Sequence, residues 1–439
     1  MFLNILILPA MSALLLCAIL LLLFCGMGGG VYALQNGIVK SDIWGAVIVF
    51  VVNVLERIIK GILGYFEFCC EAFEKLILQE GYVGAPHWTA IVLYGIMLLI
   101  VINEKLIPSG LLRKMLLLCA IGILTMKLYT GVEITMLDVG QGDGVVIQNS
   151  NGNVYLSDCG SSSVSKVGKY RLIPFLKYKG YGKIKGIFLS HMDEDHINGI
   201  WELLEAAPGE HILIEYLFLP ESVLAIQEDK QALEELKALA SKNDTKLVFL
   251  SKGEEIVDGD LQFRCLYPET VYLVSEDIAG KEGAEVADIN SKETTEVGNR
   301  NNSSLVLSMQ YKEFEMLFTG DVEEEGEWDI VRYEKTKREQ EREQSEMLQM
   351  EDIDILKVAH HGSSGSTCTE FLEEFKPKLS LISCGKNNTY GHPHEETIER
   401  LMAAESAIMT TPECGAIKIK VSANGRIKIS CWNKVHFTT

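Results

Sequence analysis

Proline is scarce, ten residues in 439, and the eleven cysteines include no Cys-x-x-Cys pair. Beside a hydrophobic fraction of 48%, the first shortage excludes collagenous and globally disordered chains. The length excludes a small disulfide-stapled fold. Cations are also in short supply, with 40 Lys and Arg against 60 Asp and Glu, a net charge of -20. The most local absence is of any charge at all from Met1 to Val39. High charge ordinarily lowers mean hydropathy, yet here it is slightly positive, so two kinds of sequence are joined. Residues 1–127 hold seven acidic and eight basic side chains; the remaining 312 hold 53 and 32, a net of -21.

In the apolar third, residues 5–25 are mostly Leu, Ile, Ala and Met, and meet the roughly 20 residues a bilayer span needs. No basic segment precedes them, as a signal peptide would require. Residues 88–103 are a second uncharged run, with Trp88 placed as an interface anchor. Residues 115–126, between Lys114 and Lys127, are a shorter third run that needs its flanks to cross. Residues 43–55 read as a further span or a re-entrant helix. The expectation is a membrane region over 1–128 with three or four transmembrane helices. Lys105, Arg113 and Lys114 put the loop between the last two in the cytoplasm. A multi-pass cell-membrane protein follows, with residues 129–439 extracytoplasmic.

From Val132 the pattern changes to short apolar runs and tight turns. Strands are expected at 132–137, 144–148, 154–157, 184–189, 304–310, 314–317, 353–358 and 379–383. Helices are expected at 197–207, 223–240 and 394–402. Residues 276–300 read as a loop. Residues 323–350, very charged, read as a solvated helix or an insert. Asn424-Gly425 turns a last hairpin. Alternation of strands and helices, with polar clusters at strand ends, describes a layered α/β domain whose site is built from loops.

Histidine placement carries the chemistry. Six of the nine fall in three tight clusters: His191 and His196, His360 and His361, His392 and His394. The first lies in Ser190-His191-Met192-Asp193-Glu194-Asp195-His196, leaving a buried strand. Imidazole and carboxylate at such spacing suit divalent ions. His360-His361-Gly362-Ser363 follows another strand, and Thr319-Gly320-Asp321 ends a third. For the first string a metal-free polar turn is the lesser reading. His360-His361-Gly362-Ser363 and Tyr390-Gly391-His392-Pro393-His394 alone read equally well as helix caps, and Asp321 alone as an ordinary turn residue. Four such clusters at strand ends are hard to explain by packing.

These strings resemble the metallo-β-lactamase superfamily, and more closely the extracellular domain of the ComEC family of DNA-uptake channels. Leu137-Asp138-Val139-Gly140-Gln141-Gly142-Asp143 looks like that family's opening motif. His191 to His196 looks like its H-x-D-x-D-H variant of the superfamily's HxHxDH. Thr319-Gly320-Asp321, His360-His361-Gly362-Ser363 and Tyr390-Gly391-His392-Pro393-His394 resemble its later motifs, in order. The resemblance implies an αββα sandwich holding two divalent metal ions, Mn or Zn. It implies that His191 and Asp193 bind one ion and Asp195 and His196 the other. Asp321 would bridge them, and a late histidine from His360, His361 or His392 would complete the second position. Where superfamily members usually carry another histidine, this chain reads Asn301-Asn302-Ser303-Ser304. An oxygen-rich site suits Mn²⁺ or Mg²⁺ better than a three-histidine zinc site does. Asp195, His360 and His361 would be catalytic. Asp138, Asp143, Asp158, Asn302 and His394 would orient these groups or form turns.

The implied activity is that of a metal-dependent phosphodiesterase or nuclease in DNA uptake during natural transformation. Full members of that family carry a much larger channel domain, whose tail residues 1–128 resemble. DNA, a separate channel-domain polypeptide and the lipid bilayer are the implied partners. A net charge of -21 runs against a nucleic-acid surface. Lys166, Lys169, Arg171, Lys177, Lys179, Lys183 and Lys185 offer a local basic patch. The alternatives are hydrolysis of a phosphodiester outside nucleic acid, and a non-catalytic subunit that binds DNA or a channel.

Overall fold

The computed structural model describes residues 2–27, 43–74, 84–103, 105–125, 130–269, 300–344 and 352–433. The chain separates into two compact units, Met1–Gly81 and Tyr82–Thr439. The first consists of α1 (Phe2–Met27) and α2 (Ile43–Glu74), which pack on each other. The second begins with α3 (Trp88–Ile102) and α4 (Gly110–Thr125). Among the described residues no helix is long and apolar enough to cross a membrane. The runs expected to span fall on these helices. With 15 and 16 residues, α3 and α4 rise only about 24 Å, short of a hydrocarbon core of about 30 Å. In α2 the apolar run meets Glu56, Arg57 and Lys60. Part of α1's side chains lies outside the described residues.

The rest of the second unit is a two-sheet sandwich. The first sheet takes β1 (Gly131–Met136), β2 (Gly144–Gln148), β3 (Val154–Cys159), β4 (Lys183–Phe188), β5 (Leu213–Pro220) and β6 (Lys246–Leu250). The second takes β7 (Glu255–Asp258), β8 (Leu261–Tyr267), β9 (Val306–Tyr311), β10 (Phe314–Phe318), β11 (Ile355–Lys357), β12 (Leu379–Ile382) and β13 (Ala407–Thr410). The chain returns with β14 (Ile417–Ser422) and β15 (Ile427–Cys431), which pair onto β1 to give the order β15-β14-β1-β2-β3-β4-β5-β6. The second sheet runs β13-β12-β11-β10-β9-β8-β7. In each sheet four neighbouring strands are parallel, β3 to β6 and β10 to β13.

Parallel strands covered on both faces need side chains that are apolar both ways, which is why they read as short hydrophobic runs. Between the sheets, Tyr155, Phe188, Phe218 and Phe263 pack with ring centroids 4.7 to 6.1 Å apart. Outside the first sheet lie α5 (Ile173–Lys179), α6 (Glu194–Ala206) and α7 (Lys230–Lys242), burying Ile200, Leu203 and Leu236 against Leu156 and Ile187. Outside the second lie α8 (Glu324–Gln344), α9 (Thr369–Phe375) and α10 (Glu395–Ala403), burying Ile330, Phe371 and Leu401 against Leu317 and Leu356. The layers are αββα.

Two expectations are corrected. The helix expected over 223–240 is broken: Glu221–Leu224 and Gln227–Asp229 are short 3-10 turns, and only α7 is α-helical. The break lets Asp229, 1% exposed, turn inward to Arg300 at 2.5 Å. The charged stretch 323–350 is helical over α8 but not wholly solvated, since Glu327 and Glu334 are buried. Glu334 pairs with Arg264 at 3.1 Å. The loop expected at 276–300 falls almost wholly outside the described residues.

Burial pushes the Glu327 carboxyl up to about 7, although it accepts the Thr367 and Cys368 N–H groups at 2.5 and 2.7 Å. Its folded value exceeds the ordinary 4.5, so as pH rises the unfolded chain releases this proton first. Stability therefore falls between about 4.5 and about 7, by on the order of 3 kcal/mol, and this group adds no slope above that window. Glu327→Gln is expected to remove this component. Denaturant unfolding at several pH values checks it: the wild-type-minus-variant difference should slope downward only inside the window.

Candidate metal centre

The polar side chains collect where the parallel strands end, the usual place for a site in α/β sheets. Asp158 ends β3, and His191 follows β4. Asp321 follows β10, and His360 and His361 follow β11. Asp143 precedes β2 and enters from the turn after β1. Glycine brings these turns together. At Gly142, with φ of +147°, a Cβ would lie 2.3 Å from the Gly160 oxygen. At Gly160 a Cβ would lie 2.4 Å from the Asp195 carbonyl carbon and the His196 nitrogen. The close approach allows Asp143 N–H to donate to the Asp195 carbonyl at 3.1 Å and Gly160 N–H to the Asp143 carbonyl at 2.8 Å. Gly160→Ala is expected to destabilise the domain by about 1–3 kcal/mol. It should also push Asp143 away from Asp195, read by calorimetry as weaker divalent-ion binding.

Asp143, His196, Asp321 and His361, all buried, place ligand-type atoms within 4.8 Å of one another. His196 Nε2 lies 3.1 Å from Asp321 Oδ1. His361 Nε2 lies 3.6 Å from Asp321 Oδ2 and 3.4 Å from Asp195 Oδ2. The other ring nitrogens are committed. Asp158 takes His196 Nδ1 at 3.0 Å, and the Ser383 carbonyl takes His361 Nδ1 at 2.9 Å. Both bonds commit Nδ1 as the donor and leave Nε2 facing the cluster. Asp158 also accepts the Ser190 N–H at 2.7 Å, which ties the β3 end to the β4 end.

His191 stands beside this group, its ring 4.2 Å from that of His196 and its Nε2 3.6 Å from Asp193 Oδ2. Its Nδ1 lies 2.9 Å from Ser190 Oγ. Asp193 is shared, because Arg300 donates to its Oδ1 at 3.1 Å. His360 Nε2 is 3.9 Å from Asp321 Oδ2, on the more open side. His360 and His361 both have positive φ, 48° and 54°. Left-handed backbone at two consecutive non-glycine residues costs on the order of 1 kcal/mol each, and such strain concentrates at functional sites.

The remaining expected residues sit further out. His392 Nδ1 faces Gln141 Nε2 at 3.3 Å, and its ring is 5.6 and 6.1 Å from those of His360 and His361. His394 accepts the Ser364 N–H at 2.9 Å and precedes α10. Asp138 accepts the Gly140 N–H of its own turn at 3.4 Å. Asn302 is not at the centre: it accepts the Glu323 N–H at 3.1 Å and donates to the Glu325 carboxylate, which ties its 3-10 turn to the start of α8.

Two participants escaped the sequence reading. Lys357, 3% exposed, forms an ion pair with Asp143 and donates to the Gly320 carbonyl at 3.1 Å. Its signal was a charge inside the apolar run Ile355-Leu356-Lys357-Val358. Arg300 joins Asp193 to buried Asp229; the sequence held no sign of that link. The expected basic patch is largely neutralised. Lys177 pairs with Glu210, Lys179 with Glu133, and Lys183 and Lys185 both with Glu215. Lys166, Lys169 and Arg171 stay exposed.

The donor set fits a divalent cation. The Nε2 atoms of His191, His196 and His361 and Asp321 Oδ1 are buried without a hydrogen-bond partner. Burial opposes charge on Asp321, yet His196 and His361 hold its carboxyl well below the usual range. Burial likewise opposes charge on His361, yet Asp321 and Asp143 raise it to about 9. His392, outside the carboxylates, is pushed down to about 4 by burial and the neighbouring histidines. Converging carboxylates therefore draw positive charge to the Nε2 positions.

An αββα sandwich with aspartate and histidine at its strand ends defines a metal-binding hydrolase-type domain. The chain belongs to the metallo-beta-lactamase superfamily, whose family model matches residues 137–386. Members of that superfamily are typically metal-dependent hydrolases. Over 301 residues the chain is 29% identical to ComE operon protein 3 of Bacillus subtilis, covering 66% of this chain and 33% of that one. Over 307 residues it is 24% identical to Recombination protein 2 of Haemophilus influenzae, covering 68% and 31%. The chain thus spans about a third of the length of these relatives. The crystal structure of the metallo-beta-lactamase fold protein YhfI from Bacillus subtilis aligns with a TM-score of 0.39 at 14% identity, over 68% of this chain and all of that one.

Proposed function

We propose that this chain is a membrane-anchored, metal-dependent phosphodiesterase that cuts DNA during its uptake. The observation that carries the chemistry is the buried cluster of Asp143, His196, Asp321 and His361, whose ligand-type atoms lie within 4.8 Å of one another. The biological setting is supported by similarity to ComE operon protein 3 and to a protein named competence protein ComA of Neisseria gonorrhoeae. The anchor is supported by the uncharged run from Met1 to Val39 and by exposed Leu15, Leu22 and Leu23 on α1. On this reading residues 1–128 form the membrane region, residues 129–439 the extracytoplasmic domain, and a separate channel polypeptide is a partner.

His191 and Asp193 would hold one divalent ion, Mn²⁺ or Zn²⁺. Asp195, His196 and His361 would hold a second, with Asp321 between the two. Bound there, the ions supply charge for the phosphoryl oxygens and make a water acidic enough to ionise near neutral pH. Asp195 Oδ2 orients the attacking water and takes its proton. Burial lowers the His360 imidazole's tendency to charge, and its Nε2 faces the open side, where it hydrogen-bonds the leaving oxygen. Arg300 and Asp158 keep Asp193 and His196 in register, and Lys357 fixes Asp143.

A second reading has a specific observation behind it. Net charge of -21, with four of seven clustered cations paired to glutamate, favours a phosphodiester outside nucleic acid. Full-length protein loaded with Mn²⁺ or Zn²⁺ is to be offered single- and double-stranded DNA beside non-nucleotide phosphodiesters. DNA cleavage that chelation abolishes is expected. Turnover of the other esters alone would transfer the site to the second reading.

A further inference from the structure

Three exposed cations of this acidic domain that form no ion pair among the described residues lie close together in sequence. Lys166, Lys169 and Arg171 flank Tyr170 in sequence; its ring is 60% exposed, with Lys169 Nζ over one face, 5.8 Å from the centroid. No ion pair involves these three cations among the described residues, whereas Lys177, Lys179, Lys183 and Lys185 each meet a glutamate. Lys169 and Arg171 stand on a π-helical turn, Gly168–Leu172. Such turns are rare and recur at functional sites. Glu202 adjoins them and accepts the backbone N–H of Lys169 at 2.8 Å.

The loop that leads into the strip is tied to residues of the metal centre at two points. Ser163 Oγ accepts the Gln141 N–H at 2.8 Å, and Gln141 reaches His392 at 3.3 Å. Asn198, two residues beyond His196, bonds both the N–H and the carbonyl of Ser161 at 3.0 and 2.7 Å. The π turn packs along α6, where a Cβ on Gly168 would sit 2.4 Å from the Gly199 carbonyl. From His196 to Glu202 that helix rises about 9 Å. At about 3.4 Å per nucleotide of a helical strand, this is two or three nucleotides.

We infer that Lys166–Arg171 is a docking track for the backbone of a single-stranded nucleic acid, with Tyr170 as its stacking platform, leading the chain to the metal centre. The inference rests on the nuclease reading above. Cations spaced along a surface match phosphates, and one exposed aromatic beside them takes an unpaired base face, which a duplex does not offer. A lipid surface would use the cations but give Tyr170 no base to stack on.

The test is fluorescence anisotropy of a labelled oligothymidylate with full-length protein in chelator, so that binding is read without cleavage. Lys166→Ala/Lys169→Ala/Arg171→Ala is expected to weaken binding at least tenfold at low salt. It should also flatten the slope of log K against log salt by about 2, at roughly 0.7 for each phosphate no longer neutralised. Tyr170→Ala is expected to weaken binding by roughly tenfold with the slope unchanged. Both variants should hydrolyse a small chromogenic phosphodiester as the wild type does. Wild-type binding unaltered in either variant would overturn the track while leaving the nuclease reading standing. A wild type that neither binds nor cuts DNA would remove both. Loss of binding to anionic phospholipid vesicles, with oligonucleotide binding kept, would overturn the track in favour of a membrane contact.

Discussion

Asp321→Asn is expected to lower metal-dependent hydrolysis by about 10³-fold or more, with the fold intact. The substitution keeps the shape of the side chain and removes its charge. Asp321 Oδ1 and Oδ2 face His196 and His361 separately, at 3.1 and 3.6 Å, so the one carboxylate serves both sides of the centre. Asparagine leaves only one oxygen for two positions. Single-turnover cleavage at saturating Mn²⁺ separates this loss from weaker substrate binding. Activity within tenfold of the wild type would show that Asp321 is not shared in the way the geometry implies.

Lys357→Met is expected to cost about 3–5 kcal/mol of stability in the absence of divalent ions. Burial works against charge on both partners, but each holds the other ionised: the ammonium is raised and the Asp143 carboxyl is kept well below its usual range. Removing Lys357 takes the ammonium from a carboxylate at 2% exposure and leaves it only the His361 and His196 imidazoles, at 3.6 and 3.7 Å. Two observations should accompany the loss. Adding Mn²⁺ should return part of the stability, because Asp143 belongs to the ligand-type cluster. Adding Asp143→Asn should do the same without metal, since the stranded charge is gone. Denaturant unfolding of the four species of this cycle provides the measurement, and a loss below about 1 kcal/mol would contradict it.

The layered α/β architecture was legible because its evidence is local. Parallel strands such as Leu379–Ile382 and Ile355–Lys357 are buried on both faces and announce themselves as mostly apolar runs. Strand-end clusters were legible because the chain must turn there, and His, Asp and Gly in turns stand out. What escaped depends on partners distant in sequence. Asp229 leaves its helix for Arg300, 71 residues on, and no periodicity marks that. Lys357 reads locally as an interruption, and only the folded domain supplies Asp143 against it. Asp143 itself read as a turn former, and it is one, through its backbone; its carboxylate enters the cluster only because Gly142 and Gly160 let two turns touch. Of the cations at 166–185, composition could not say which would meet glutamate.

The central claim is that the strand-end carboxylates and imidazoles form a divalent metal centre. Equilibrium dialysis of the full-length chain against Mn²⁺ and Zn²⁺, followed by elemental analysis, tests it most directly. Two ions per wild-type chain are predicted, with both lost or strongly weakened in His196→Ala. A wild type that retains no ion, or a His196→Ala chain that retains as many as the wild type, would contradict the account.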